Sequence, residues 1–549
     1  MRNGPLLPRL LPFTPVVFAL VLMAPRLAEP HFGFFDDAIT LQAAQRVADG
    51  EWQVATGGAL GPQGRARPVY WLYNSALYVL AGDDPFWFFV GNTILLCATV
   101  AAVIALAGRL SSDGRVAWVA GTLFILSGPV IENAYTLSKP ELQQILWILL
   151  SLWLAHAAEK SEGPGRIVGI GLAAVAVFVA CNTKETAVLL LPVSLAWLGI
   201  GWILPRLRIS VAGQAYLADP ALFFACLAGV AAYVASSSAY TTADRLLAGY
   251  ASGFQFDPVR MLATARVWVD WLNRDFLYLA PPTALVLLRF RRFRPRLGQA
   301  LPWAIWMGLW VVVYIPWVFT PEYYLLPAAV GAALLGALLL SANLEILHAE
   351  RGLWRPAAAA ALGLGGLLLL LTLPNNYTNG RLQLAIDSAN AEMLEHVLGE
   401  APQGAVVLFN LQDADAEYAT TFPVFVNELG GRDDLTVRRF AAQDPAAEGW
   451  DGRAVELILP VFENQFTPSV RVGVFAHDAA AWNENARPYM GDSAREIYRA
   501  VRQFTLFNID SARLFCPLVP AISYCAVPYA PLDRRVLEYG WAIYRLSGE

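Results

Sequence analysis

Long apolar runs separated by short polar stretches fill the first two thirds of the chain. A spanning helix needs about 20 mostly apolar residues. Segments of that kind lie near residues 10–28, 86–108, 116–132, 142–158, 167–183, 185–204, 219–239, 272–289, 300–318, 325–343 and 356–374. The pattern predicts a polytopic α-helical membrane protein with about eleven spans. In the polar loop at 29–85, "AITLQAAQRVADG" has the spacing of a helix lying along the interface, beginning near Ala38 and ended by Gly50. Past residue 374 the pattern changes. "GAVVLFN" and "AVELILPVF" read as strands and "SAREIYRAVRQF" as an amphipathic helix. The expected organisation is a membrane-embedded unit at 1–374, with its first outer loop at 29–85, and a C-terminal α/β domain at 375–549.

Basic residues sort to one side of these spans. Arg2 and Arg9, Arg109 and Arg115, Lys160 and Arg166, Arg206 and Arg208, the run "RFRRFRPR" from Arg289 to Arg296, and Arg351 with Arg355 all share it. The positive-inside rule makes that side cytoplasmic. The other side collects acids, among them Asp36, Asp37, Glu132, Glu141, Glu185, Asp275 and Glu322. An odd number of spans then carries 375–549 to the outer face. The first apolar run lacks a convincing cleavage site and is followed by further spans, so it reads as an anchor rather than a signal peptide. Asn376-Tyr377-Thr378 is a glycosylation sequon by pattern alone.

Composition agrees with a membrane protein. Hydrophobic residues make up 57% of the 549 and charged residues only 15%, against roughly 25% charged in soluble domains. The net charge of −5 gives no basic footprint, and nucleic acid is excluded as a partner. Cys97, Cys181 and Cys226 lie in apolar runs and read as small buried hydrophobes. Cys516 and Cys525 lie in the polar C-terminal third, where an oxidising compartment permits a bridge between them.

Asp36 and Asp37 stand just beyond the first apolar run, where carboxylates are costly unless they have a function or water. One of them suits the start of the interfacial helix, where it would accept free backbone amides. Adjacent residues point in different directions, so the other is left to face a cavity. Other outer loops add Arg65 and Arg67, then Glu132, Lys139 and Glu141, then Lys184 and Glu185, and finally Tyr323 and Tyr324. Singly, the lysines read as snorkelling side chains, the tyrosines as an aromatic belt and Lys184-Glu185 as a local ion pair. Together they point to an outward-facing polar cavity in which carboxylates supply a base and cations bind an anion, such as a lipid phosphate.

The order of "FFDDA", "RPVYWLYNSALYVLAG", "SKPELQQILWILL", "TKETAVLLLP" and "EYYLLPAAV" along the chain resembles the GT-C superfamily of polytopic glycosyltransferases. That group includes protein O-mannosyltransferases and bacterial transferases that add aminoarabinose to lipid A. The resemblance implies a polyprenyl-phosphate sugar as donor, a lipid, glycan or protein as acceptor, and a bacterial inner membrane with the active site and C-terminal domain facing the periplasm. It implies Asp36 or Asp37 as base, Arg65, Arg67, Lys139 or Lys184 against the leaving phosphate, and Glu141 orienting the acceptor or binding a metal. A divalent metal as cofactor is left open. The sequence departs from the pattern at Glu322, where members often carry a basic residue before the tyrosine. No motif aligns at 240–271, where Arg245, Arg260 and Arg266 are candidates for a lipid head group. The alternatives are a lipid or sugar transporter or flippase, and a non-catalytic partner subunit.

Overall fold

The computed structural model describes residues 13–34, 36–56, 66–111, 113–207, 219–240, 254–317, 321–410, 421–440, 453–462, 494–509 and 532–546. Arg65, Arg245, Cys516 and Cys525 lie outside them. The helices are α1 (Thr14–Ala28), α2 (Asp37–Ala48), α3 (Trp52–Ala55), α4 (Pro68–Ala81), α5 (Pro85–Leu110), α6 (Gly114–Ile125), α7 (Gly128–Tyr135) and α8 (Glu141–Glu159). They continue with α9 (Pro164–Thr183), α10 (Leu190–Arg206), α11 (Ala221–Tyr240), α12 (Pro258–Phe276), α13 (Ala280–Leu288), α14 (Phe290–Val312), α15 (Leu326–Ala349) and α16 (Trp354–Glu400).

Local chemistry sets many of the boundaries. Proline opens α4, α5, α9 and α12, where a missing N–H does no harm. Asp84, Asp113 and Asp257 cap α5, α6 and α12 by accepting the N–H two residues on. The interfacial helix is present as α2, and Gly50 follows it at φ +96°.

Among the described residues, five helical segments are long and apolar enough to cross a membrane: Pro85–Leu110, Pro164–Thr183, Glu185–Arg206, Glu322–Ala349 and Trp354–Glu400. A sixth is counted if α6 and α7, bent by 59°, form one span. The expected count of about eleven also drew on runs that are short or interrupted here. The run at 116–132 breaks before Gly128-Pro129, and that at 272–289 passes through a 3₁₀ turn at Leu277–Leu279. α15 is the central helix, with 83% of its apolar window buried, against 28% for α9 and 22% for α16. Small residues let neighbours approach it. A Cβ on Gly331 would lie 2.7 Å from Trp306.

α16 passes the expected boundary at 374–375 without a break and carries Pro374 inside it. Its 47 residues reach about 70 Å at 1.5 Å each, more than twice the roughly 30 Å of a hydrocarbon core. The helix is thus longer than a single span requires, and its last turns pack against the C-terminal sheet. There Asn390 Oδ1 accepts from Trp541 Nε1 at 2.7 Å, and Arg432 donates to the terminal carbonyls of Leu398 and Ala401 at 2.7 and 2.9 Å.

The sheet consists of β1 (Val406–Asn410), β2 (Thr436–Phe440), β3 (Val455–Phe462), β4 (Arg495–Ile509) and β5 (Leu532–Leu546) in the order β2-β1-β3-β5-β4. β1 runs parallel to β2 and β3, while β5 runs antiparallel to β3 and β4. The two expected strands are β1 and β3. "SAREIYRAVRQF" is not a helix. It forms most of β4, because the long pairing with β5 overrides its local helical spacing. The sequon is also corrected. Asn376 is buried and donates to the Leu126 carbonyl at 2.5 Å, so it cannot carry a glycan.

Candidate functional site

The site residues sit at helix ends, where local chain breaks bring polar groups to one end of the bundle. Arg67 precedes α4, Lys139 and Pro140 precede α8, and Lys184 separates α9 from the 3₁₀ turn Glu185–Leu189. Tyr323 and Tyr324 lie in the 3₁₀ turn Glu322–Leu325 before α15. Gln144 ties two of these ends together, donating to the Lys184 carbonyl at 2.9 Å and to Thr186 Oγ1 at 3.0 Å.

Charges pair between segments. Lys184 and Glu185 are not simply a local ion pair, since each is paired with a charge from another segment. Lys184 Nζ contacts Glu141 Oε1, and Arg67 grips Glu185 through Nε at 3.1 Å and Nη2 at 2.9 Å. Nor do the lysines snorkel. Lys139 and Lys184 are buried, with their ammonium groups 4.3 Å from the Tyr323 ring and 4.5 Å from the Tyr324 ring. Such desolvated cation–π contacts are worth about 2 kcal/mol. Tyr314 stacks on Tyr324 at 4.8 Å with the rings 6° apart, which fixes that face.

A cavity of about 340 Å³ opens beside this cluster. Arg67, Lys184, Glu185 and Thr186 supply its polar lining, and Tyr233, Phe254, Val313 and Trp317 much of its apolar lining. Asp36, Asp37, Lys139, Glu141 and Tyr323 are not among its lining residues. Tyr70 on α4 is electrostatically linked to both groups. It comes within 3.4 Å of Thr40 Oγ1 on α2 and feels the charges of Asp37, Asp36 and Arg67.

The two aspartates divide differently from the sequence expectation. Asp36 occupies the N-cap position but makes no side-chain cap bond. Asp37, 1% exposed, instead accepts the Gly33 N–H at 2.7 Å through Oδ2, and its Oδ1 has no hydrogen-bond partner. Burial pushes the Asp37 carboxyl up to about 6, against the Gly33 N–H bond, which favours the anion. Asp387 pushes it further up, while Arg26 and the nearby Ser138 hydroxyl draw it down. Such a carboxylate is ionised at neutral pH, yet basic enough to take up a proton.

Glu322 is buried in an ion pair with Arg274, which also reaches Asp275 at 3.1 Å. The acid before Tyr323 thus shares one cation from α12 with Asp275. Glu132 is held near Lys139 and Arg274. Among the described residues, no three His, Cys, Asp or Glu side chains converge to hold a metal ion.

Sequence reasoning missed Arg26, Asp387, Arg274 and Tyr314. Arg26 sits at the end of an apolar helix and pairs with Asp387 of α16, both buried. An arginine at that depth was a usable signal, since such charges persist only with partners.

No family model matches the chain, and no curated protein matches its sequence. Among solved structures, ArnT from Cupriavidus metallidurans bound to undecaprenyl phosphate is similar with a TM-score of 0.50 and 13% identity, over 81% of this chain and 92% of its own. The apo state of that protein is similar over 96% and 97% of the two chains, with a TM-score of 0.48 and 13% identity. At that identity the likeness to the undecaprenyl-phosphate-bound structure is one of fold: the chain shares the overall fold of ArnT.

Proposed function

We propose that the chain is a membrane glycosyltransferase that moves a sugar from a polyprenyl-phosphate donor to a hydroxyl-bearing lipid, glycan or protein at the outer face of a bacterial inner membrane. The observation that carries this reading is the cavity in which Arg67 and Lys184 meet an apolar, aromatic wall. That combination suits a ligand with an anionic head and a greasy tail. The ArnT structure contains such a molecule, undecaprenyl phosphate.

Asp37 is assigned as the base and Asp36 as its neighbour. The acceptor hydroxyl gives its proton to the Asp37 carboxylate while its oxygen bonds to the anomeric carbon from the face opposite the phosphate. The bond between that carbon and the phosphate oxygen breaks, and polyprenyl phosphate departs with the electron pair. Arg67 and Lys184, with Lys139 behind them, stabilise the charge growing on that oxygen. Glu141 holds Lys184 in place. Lysine carries three donors, and this contact occupies one.

The test is to offer the purified chain in liposomes a panel of polyprenyl-phosphate sugars with a mixed acceptor extract, and to measure release of polyprenyl phosphate. Turnover that disappears with Asp37→Asn supports the assignment. Movement of intact donor between leaflets without turnover would support the transport alternative instead.

A further inference from the structure

We propose that Arg26 and Asp387 are a positioning pair for Asp37, holding its loop and balancing its charge across Gly33. The inference rests on the glycosyltransferase reading and adds two residues, one of them far from Asp37 in sequence.

Gly33 is wedged between two carboxylates. A Cβ there would lie 3.1 Å from Asp387 Oδ1 and 3.4 Å from Asp37 Oδ2. On one side, Asp37 takes the Gly33 N–H. On the other, Asp387 contacts Arg26, and Gln383 Nε2 fixes its Oδ1 at 3.0 Å. Arg26 also donates to the His31 carbonyl at 3.0 Å and lies 4.0 Å from the Phe89 ring centroid. The connection between α1 and α2 is therefore held at His31 by Arg26 and at Gly33 by Asp37. Aromatic contacts with the C-terminal unit brace it from outside, with Phe34 5.7 Å from Phe422 and 5.5 Å from Phe425.

The pair also acts through charge. Asp387 opposes ionisation of Asp37, and Arg26 favours it. Other groups face Asp37 from each packed element: Asp36 beside it, Ser138 ahead of α8 and Tyr70 on α4. His31 faces Arg26 and Asp387 from the connecting loop, and Glu428 is engaged by Gln42. Of these groups, Arg26 and Asp387 carry opposite charges on the same side of Gly33, so removing one alone unbalances the other.

The experiment compares the pH dependence of donor turnover in liposomes for the parent, Asp387→Asn, Arg26→Gln and the double variant. Thermal unfolding in detergent monitors folding. A base must be ionised to act, so turnover rises with pH through its titration. Asp387→Asn removes a like charge and leaves Arg26 facing Asp37, which moves that rise to lower pH. Arg26→Gln moves it to higher pH, so the two variants separate by about one pH unit. The double variant falls between them. A purely structural role lowers the rate without opposite shifts. A common direction, or no shift in folded and active variants, overturns the pairing while leaving the enzyme reading intact. A parent with no turnover of any donor overturns that reading and this one with it. Should Asp387→Asn fail to fold, Arg26→Lys against Arg26→Gln carries the comparison. Retention of the parental profile by lysine alone is then the expected result, and identical profiles overturn the pairing.

Discussion

At the scale of single residues, adjacent aspartates have unequal environments. Asp37 is buried and Asp36 half-buried without a cap bond, so Asp37→Asn is expected to lower donor turnover by about 10²- to 10⁴-fold. Asp36→Asn should retain most of it, as measured by polyprenyl-phosphate release. The raised Asp37 carboxyl has a consequence for stability as well. It holds its proton more tightly when folded than when unfolded, so the fold loses stability as pH rises from about 4 to about 6. Turnover rises over the upper part of that window, and stability and activity profiles recorded on one preparation should move in opposite directions there. Glu141→Gln leaves Lys184 buried without its counter-charge. The expected loss is roughly 3–5 kcal/mol, visible as a lowered unfolding midpoint. The residue types were legible in the sequence, since each named carboxylate or cation stood at the end of an apolar run. Their partners were not. Glu141 and Lys184 are 43 positions apart, and Arg67 and Glu185 are 118 apart.

At the scale of elements, hydrophobic spacing gave α2 and its end at Gly50, the strands β1 and β3, and the long apolar helices. It failed for β4, whose residues satisfy a helical period but pair along their length with β5. Strand formation there is decided by a partner that local sequence does not contain. The loop before α2 depends in the same way on the C-terminal unit, through Phe422, Phe425 and Glu428. Phe425→Ala is expected to reduce turnover about 10-fold, as a small misplacement of a reacting group does, with little change in donor KM. A drop confined to donor affinity would argue against that dependence.

At the scale of the whole molecule, sidedness is the property to test. In a variant without native cysteines, an impermeant maleimide applied to intact spheroplasts should label exposed positions 83 and 433, introduced as Asp83→Cys and Asp433→Cys. Glu162→Cys is expected to react only after lysis, as the positive-inside rule predicts for the loop that carries Lys160 and Arg166. Labelling of position 162 from outside would reverse the topology and move the candidate site to the cytoplasm. The sequence alone determined the apolar, mostly helical class and set candidate groups at the ends of apolar runs. These depend on composition and on periods of a few residues. Tertiary structure decided which aspartate is buried, which cation meets which carboxylate, and that Asp387, 361 positions from Arg26, reaches the first loop. Those choices depend on how whole helices pack, since only packing sets which distant charges lose water together and must neutralise one another.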